Sequence, residues 1–183
     1  RLDVGQGLVN SAYITIASLV LTLILAVPAS YGLARSTGRV AAVVERLYAL
    51  GFLIPAFAAL VPTLLLAIEI GLFHQREFMI LYQPASAQPL TVIILTQFMR
   101  TVPASLYESA IIDGAGPLRI LRSVYMPLTM PGIATVTILN FIFFWNDYLF
   151  TLVIVGVNPD VRTLQVALPV LNSNQGITDY ALI

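Results

Sequence analysis

The chain has 183 residues, 58% of them hydrophobic and 10% charged, with nine basic and nine acidic side chains and a formal net charge of zero. A mean hydropathy of +0.90 places it in lipid, and the zero balance gives nucleic acid or an acidic partner no bulk attraction. All nine basic residues are arginine, cysteine is absent and His74 is the single histidine, which excludes a P-loop lysine, disulfides, thiol nucleophiles and cysteine or multi-histidine metal sites.

The chain opens on Arg1, and Gly5-Gln6-Gly7 does not extend to a glycine-rich nucleotide fingerprint. The first apolar run predicts a span over 8–34, followed by Arg35, Arg39 and Arg46 in a short polar connection. A second span is expected over 47–72, where Pro55 and Pro62 remove ladder donors and tend to kink a helix. His74, Arg76, Glu77 and Pro84 mark the next loop. The run from Pro89 to Met99 is too short for roughly 30 Å of hydrocarbon, so the third span starts earlier and covers 78–100. A loop over 101–132 leads to a fourth span over 133–155 and an outer loop with Asn158, Pro159, Asp160 and Arg162. Another span can begin after 176, and the ending at Ile183 in an apolar run suggests a fragment. Neither end has signal-peptide features. The expectation is one all-α domain over 1–183, a polytopic transmembrane helical bundle.

Arginine placement orients it. Arg35, Arg39, Arg46, Arg100, Arg119 and Arg122 fall on the inner connections against Arg1, Arg76 and Arg162 outside, which puts the loop 101–132 in the cytoplasm. In that loop Pro103 suits a first helical turn, whereas Ser105-Leu106-Tyr107-Glu108 has capping-box spacing, and the start is left between the two. Gly114 offers the backbone freedom of a helix end. Gly116-Pro117 restarts a second short helix, with Leu118, Leu121 and Tyr125 on one face, Arg119 and Arg122 on another, and Pro127 and Pro131 ending it. Two short helices meeting at a glycine corner form a stiff projection that transmits a push better than a flexible linker. On the residues alone, an interfacial helix lying on lipid headgroups is the alternative.

In the fourth span, Asp147 costs about 2.5–3.5 kcal/mol at mid-bilayer unless it faces protein or water, so it points inward. Asn146 and Tyr148 add hydrogen-bonding groups and Trp145 a flat face that stacks on sugar rings, so these four residues are candidates for a polyol pathway. Neighbours on a helix point about 100° apart, so all four cannot line one cavity. The alternative makes Asn146 and Asp147 interhelical clamps and packs Trp145. Glu69 lies nearer the outer end and is given no function.

The run Glu108-Ser109-Ala110-Ile111-Ile112-Asp113-Gly114-Ala115, followed by Tyr125-Met126-Pro127 and Pro131, resembles the Glu-Ala-Ala loop of ABC importer permeases, with Ser109 in place of the commonest alanine. Asn10-Ser11, Ala29-Ser30-Tyr31-Gly32-Leu33-Ala34-Arg35, Trp145-Asn146-Asp147-Tyr148 and Thr163-Leu164-Gln165 are similar to the carbohydrate-importer, MalG-like branch. The resemblance implies a type I, MetI-like permease fold in the bacterial inner membrane, and a chain lacking the first and most of the last of six spans. It implies that Glu108, Ser109, Ala110, Asp113, Gly114 and Ala115 form a coupling helix seated on a cytoplasmic ATPase. It also implies a second permease subunit, two ATP-binding subunits, an extracytoplasmic solute-binding protein, no cofactor and no enzymatic activity of its own. For Glu108 and Asp113 taken singly, helix capping or charge balance with Arg100, Arg119 and Arg122 is the local alternative. A gradient-driven secondary transporter or channel subunit is the other class of function. It usually needs ionisable groups deep in several spans or repeated halves, and here only Asp147 lies deep. An embedded enzyme would need paired carboxylates, a nucleophile-base couple or a metal cluster, which the spans lack.

Overall fold

The computed structural model describes residues 4–158 and 160–174, so the region after 176 lies outside it. Among the described residues every regular element is helical, as expected. In chain order these are α1 (Val4–Arg35), α2 (Arg39–Phe52), α3 (Ala56–Glu69), α4 (Glu77–Arg100), α5 (Ala104–Ile112), α6 (Pro117–Ile120), a π turn (Leu121–Tyr125), α7 (Met126–Leu128), α8 (Met130–Trp145), α9 (Leu149–Ile154) and α10 (Leu164–Asn174).

By length and composition α1 and α4 are each sufficient to cross a membrane alone. The run expected as one span over 47–72 comprises α2 and α3, which by length and composition pass together as one broken span. Pro55 fixes its own φ and disfavours helix at Ile54, so the chain turns there, while Pro62 sits inside α3. Pro84 and Pro89 are likewise absorbed within α4. The run expected over 133–155 is also divided, since α8 ends at Trp145 and α9 starts at Leu149.

The burial pattern of α1 inverts that of a water-soluble helix. Asn10, Ser11, Thr15, Ser18, Thr22 and Ser30 are buried, whereas Val9, Ile16, Val20 and Ile24 are exposed. Small hydroxyl-bearing residues let backbones approach and bond across helices, while the apolar face is left for lipid or another subunit. Composition alone does not reveal which side of an apolar run faces in.

The contacts divide the chain into two compact units. One comprises the described parts of Arg1–Ser18, Ala56–Gln83 and Phe141–Ile183, and the other Leu19–Pro55 and Pro84–Asn140. In the first, Ile14, Ala67, Phe78, Met79, Phe150, Ile154 and Val155 form a core. There His74 has a φ of 62°, its N–H donating to the Ile154 carbonyl at 2.9 Å. In the second, the core includes Ala26, Val92, Leu95, Met99, Ile120, Leu121, Tyr125 and Val136. Gly132 lies so close to Phe98 that an added Cβ would stand 2.4 Å from the ring's Cγ, so only glycine allows α8 to start there.

Candidate functional site

Between α5 and α6 the chain turns through a corner closed entirely by its backbone. Gly114 adopts a φ of 73°, its N–H donates to the Ile111 carbonyl at 2.9 Å, and the Ala115 N–H reaches back to the Ala110 carbonyl at 2.9 Å. This pair of bonds is a Schellman motif, which satisfies the last carbonyls of α5 without help from side chains. The helix begins at Ala104 after Pro103, with no side-chain cap, so the capping box of Ser105 and Glu108 does not form. The proline start prevails because its fixed φ leaves no amide unsatisfied at that position.

Four of the six expected coupling residues, Glu108, Ser109, Asp113 and Gly114, are exposed. Ala110 and Ala115 are half-buried and pack against the core, supplying the apolar contact that commonly accompanies a Schellman turn. Neither acid has an ion-pair partner among the described residues, and the cap that Asp113 makes uses its backbone alone. The apolar side chains Leu106, Ile111, Ile112 and Leu118 are exposed beside them, Ile112 at 85% and Leu118 at 77%. Leu118 therefore does not share the buried face expected of it. Ile120 takes its place, because the widened π turn shifts the register and turns Ile120, Leu121 and Tyr125 inward together. Nor do Pro127 and Pro131 stop the chain. Met126 donates back to the Leu121 carbonyl, a five-residue step that brings the chain to Pro127 in the first turn of α7, and Pro131 occupies the first turn of α8.

Two contacts tie the corner to the end of α1. The Arg35 guanidinium lies 3.5 Å from the centroid of the Tyr107 ring on α5. Tyr31 meets the 1%-exposed Tyr125 edge-on at 4.9 Å. A cation over an aromatic face contributes about 0.5–2 kcal/mol and an edge-on aromatic pair about 0.5–1.5 beyond its burial. Arg35 and Tyr107 support the site through a pairing that the sequence alone did not reveal. Their separation is non-local, and only the folded α1 brings them together.

The second candidate cluster occupies the break between α8 and α9. The Asp147 carboxylate accepts from the backbone N–H groups of Phe150 and Thr151 and from the side chains of Gln83 and Thr151, the last at 3.4 Å. It thus caps the N–H groups at the start of α9 that have no partner within the helix. Asn146 donates its side-chain amide to the Ile142 carbonyl at 2.7 Å, and buried Gln83 donates to that of Phe144 at 3.4 Å, closing the end of α8. Trp145 stacks on Phe141 of its own helix with centroids 5.6 Å apart. Tyr148 and Asn146 are exposed, while Trp145 and Asp147 are half-buried. The four side chains thus face different surroundings.

A third constellation explains why Asn10-Ser11 and Thr163-Leu164 occur in one chain. The Asn10 amide donates to the carbonyls of Asp160 and Arg162 at 3.1 and 3.0 Å, and its oxygen accepts from Arg76 at 2.6 Å. Next to it the Ser11 hydroxyl accepts the Leu164 N–H at 2.9 Å, fixing the start of α10. Residues some 150 positions apart form a single clamp.

Comparison with known proteins gives a consistent result. Residues 18–177 match the family model described as binding-protein-dependent transport system inner membrane component. The chain is 34% identical over 147 residues to the diacetylchitobiose uptake system permease protein NgcG of Streptomyces coelicolor, covering 80% of this chain and 49% of that protein. It is also 34% identical over 169 residues to the melibiose/raffinose/stachyose import permease protein MelC of Bacillus subtilis, covering 92% and 61% respectively. Among solved structures, a chain of a bacterial ABC transporter involved in the import of the acidic polysaccharide alginate superposes with a TM-score of 0.83 at 26% identity, covering 97% of this chain and 61% of that one. The chain thus spans about half to three-fifths of the length of these relatives.

Proposed function

Because the chain belongs to the family of binding-protein-dependent transport system inner membrane components, we propose that it acts as a permease subunit of an ATP-driven ABC importer for a sugar or related polyol. It works with a second permease, two cytoplasmic ATP-binding subunits and an extracytoplasmic solute-binding protein. ATP hydrolysis belongs to the ATP-binding subunits.

The observation that carries this proposal is the corner at Gly114. A projection whose helix end is closed by its own backbone leaves Glu108, Ser109 and Asp113 free for a partner, and exposed Ile112 and Leu118 add apolar surface that a protein groove would cover. The anchors at Arg35 and Tyr125 make it stiff, so closure of two ATPases moves α1 and α4 rather than bending the loop. The mechanism is a lever. Nucleotide-driven approach of the ATPases displaces the corner, and the helices packed on its core follow, opening the pathway to the opposite side.

For the pathway itself, we propose that exposed Asn146 and Tyr148 touch solute, while Asp147 holds the α8–α9 break in shape and Trp145 packs on Phe141. The test is co-purification. An affinity-tagged chain expressed with its neighbouring genes should bring down an ATP-binding subunit and a second permease, and solubilisation alone in repeated trials would count against the proposal.

A further inference from the structure

In the second unit, a cleft of about 350 Å3 opens between the end of α1, α2 and α4, lined by Leu33, Glu45, Arg46, Tyr48, Val92 and Thr96 among others. Its walls are mixed in character. Leu33 and Val92 are buried and apolar, whereas Arg46 is exposed and makes no ion pair among the described residues. Glu45 does not neutralise it, being paired with Arg100. The cleft mouth therefore carries an uncompensated cation at the edge of an apolar recess.

Thr96 adds an independent mark. It is 2% exposed, and its hydroxyl is buried without a hydrogen-bond partner. Other threonines of this unit, Thr91, Thr135 and Thr137 within helices and Thr129 at a helix end, donate to the carbonyl four residues back. For Thr96 that carbonyl belongs to Val92, which already accepts the Ser30 hydroxyl at 3.3 Å. A buried polar group left over in this way is costly, and a ligand at the same wall supplies what the protein does not.

We infer that this cleft binds an anionic phospholipid, with its phosphate on Arg46 and its glycerol region against Tyr48 and Thr96. The acyl chains then lie along the neighbouring face of α2, where Val43, Leu47 and Leu50 are exposed at i, i+4 and i+7, one side of the helix. The volume fits a headgroup and glycerol at the lower end of small-molecule sites, and a basic pocket between membrane helices is the chemistry that selects anionic over zwitterionic lipid. The inference requires that the chain sit in a bilayer, but not that it couple to an ATPase.

The experiment is native mass spectrometry of the full chain extracted in mild detergent from vesicles of equal phosphatidylglycerol and phosphatidylcholine content. The wild type should retain phosphatidylglycerol preferentially, and Arg46→Gln, at an exposed position that folding does not depend on, should lower that retention about fivefold. Arg39→Gln removes the same charge from the same helix outside the cleft wall and should leave retention within about twofold. Thr96→Val should also weaken retention, while thermal stability is unchanged or raised because the orphaned hydroxyl is gone. Equal retention of the two lipids, equal losses from Arg39→Gln and Arg46→Gln, or displacement of the lipid by millimolar inorganic phosphate would each overturn the inference. Failure to recover an ATP-binding subunit from the same preparation would bear on the transport proposal alone.

Discussion

The corner at Gly114 and the break at Asn146–Tyr148 are both interruptions between helices, and they are closed in opposite ways. At the corner, backbone N–H groups of Gly114 and Ala115 satisfy the carbonyls, leaving the acidic side chains unpaired and exposed. At the break, Asn146, Asp147 and Gln83 satisfy carbonyls and N–H groups with their side chains. The difference indicates where polar side chains are available for a partner. A self-closing backbone frees them, whereas a break in regular structure that needs side-chain caps uses them up. An acid is therefore a better candidate for recognition at Asp113 than at Asp147, although Asp147 is the more conspicuous of the two in a sequence so apolar.

Substitutions can break this contrast, in decreasing order of their effect on the fold. Tyr125→Ala removes the buried ring on which the corner rests and should cost about 3–5 kcal/mol, seen as a large fall in thermal stability in detergent together with loss of ATPase capture. Gly114→Asp adds a Cβ that meets no atom within 4 Å, so its cost is conformational only, about 1–2 kcal/mol for a left-handed residue. Membrane insertion should survive while transport by the assembled complex falls at least about tenfold, the factor that 1.4 kcal/mol of contact makes. Unchanged transport in that variant would remove the corner from the mechanism. Asp147→Ala should cost about 1 kcal/mol, as loss of a helix cap does, and should lower stability more than solute affinity. A variant with native stability and no transport would instead return Asp147 to the pathway. Glu108→Gln should change stability by less than about 0.5 kcal/mol and yet weaken recovery of the ATP-binding subunit severalfold, since the carboxylate makes no ion pair within the described chain.

Local chemistry made the corner largely legible in advance. Gly114 stops α5 because a left-handed residue is needed there, and Gly116-Pro117 opens α6 because proline is preset for a first turn. The all-helical class followed from apolar runs too long for strands in lipid. What escaped was the choice between competing local signals, and contacts between residues far apart in the chain. Ser105 and Glu108 have capping-box spacing, yet Pro103 starts the helix first. Leu118 has the right period for the buried face, but a π turn that no residue pattern announces rotates Ile120 into its place. Pro55 predicts a kinked helix, but nothing in its spacing shows that the run ends α2 at Phe52 and restarts as α3 at Ala56. Likewise Asn10 and Arg162 gave no hint of each other, because a side-chain bond to a carbonyl some 150 residues away leaves no trace in spacing.

The central claim, that the Gly114 corner protrudes into the cytoplasm and seats on an ATP-hydrolysing subunit, is most directly tested by one crosslink. Since the chain contains no cysteine, Asp113→Cys provides a unique thiol at the exposed corner. A short thiol-directed photocrosslinker at this position, in inside-out vesicles holding the whole transporter, should trap the ATP-binding subunit, with yield changing when nucleotide is added. Capture of lipid alone, or labelling of that thiol by an impermeant reagent from the opposite face of the membrane, would contradict the account.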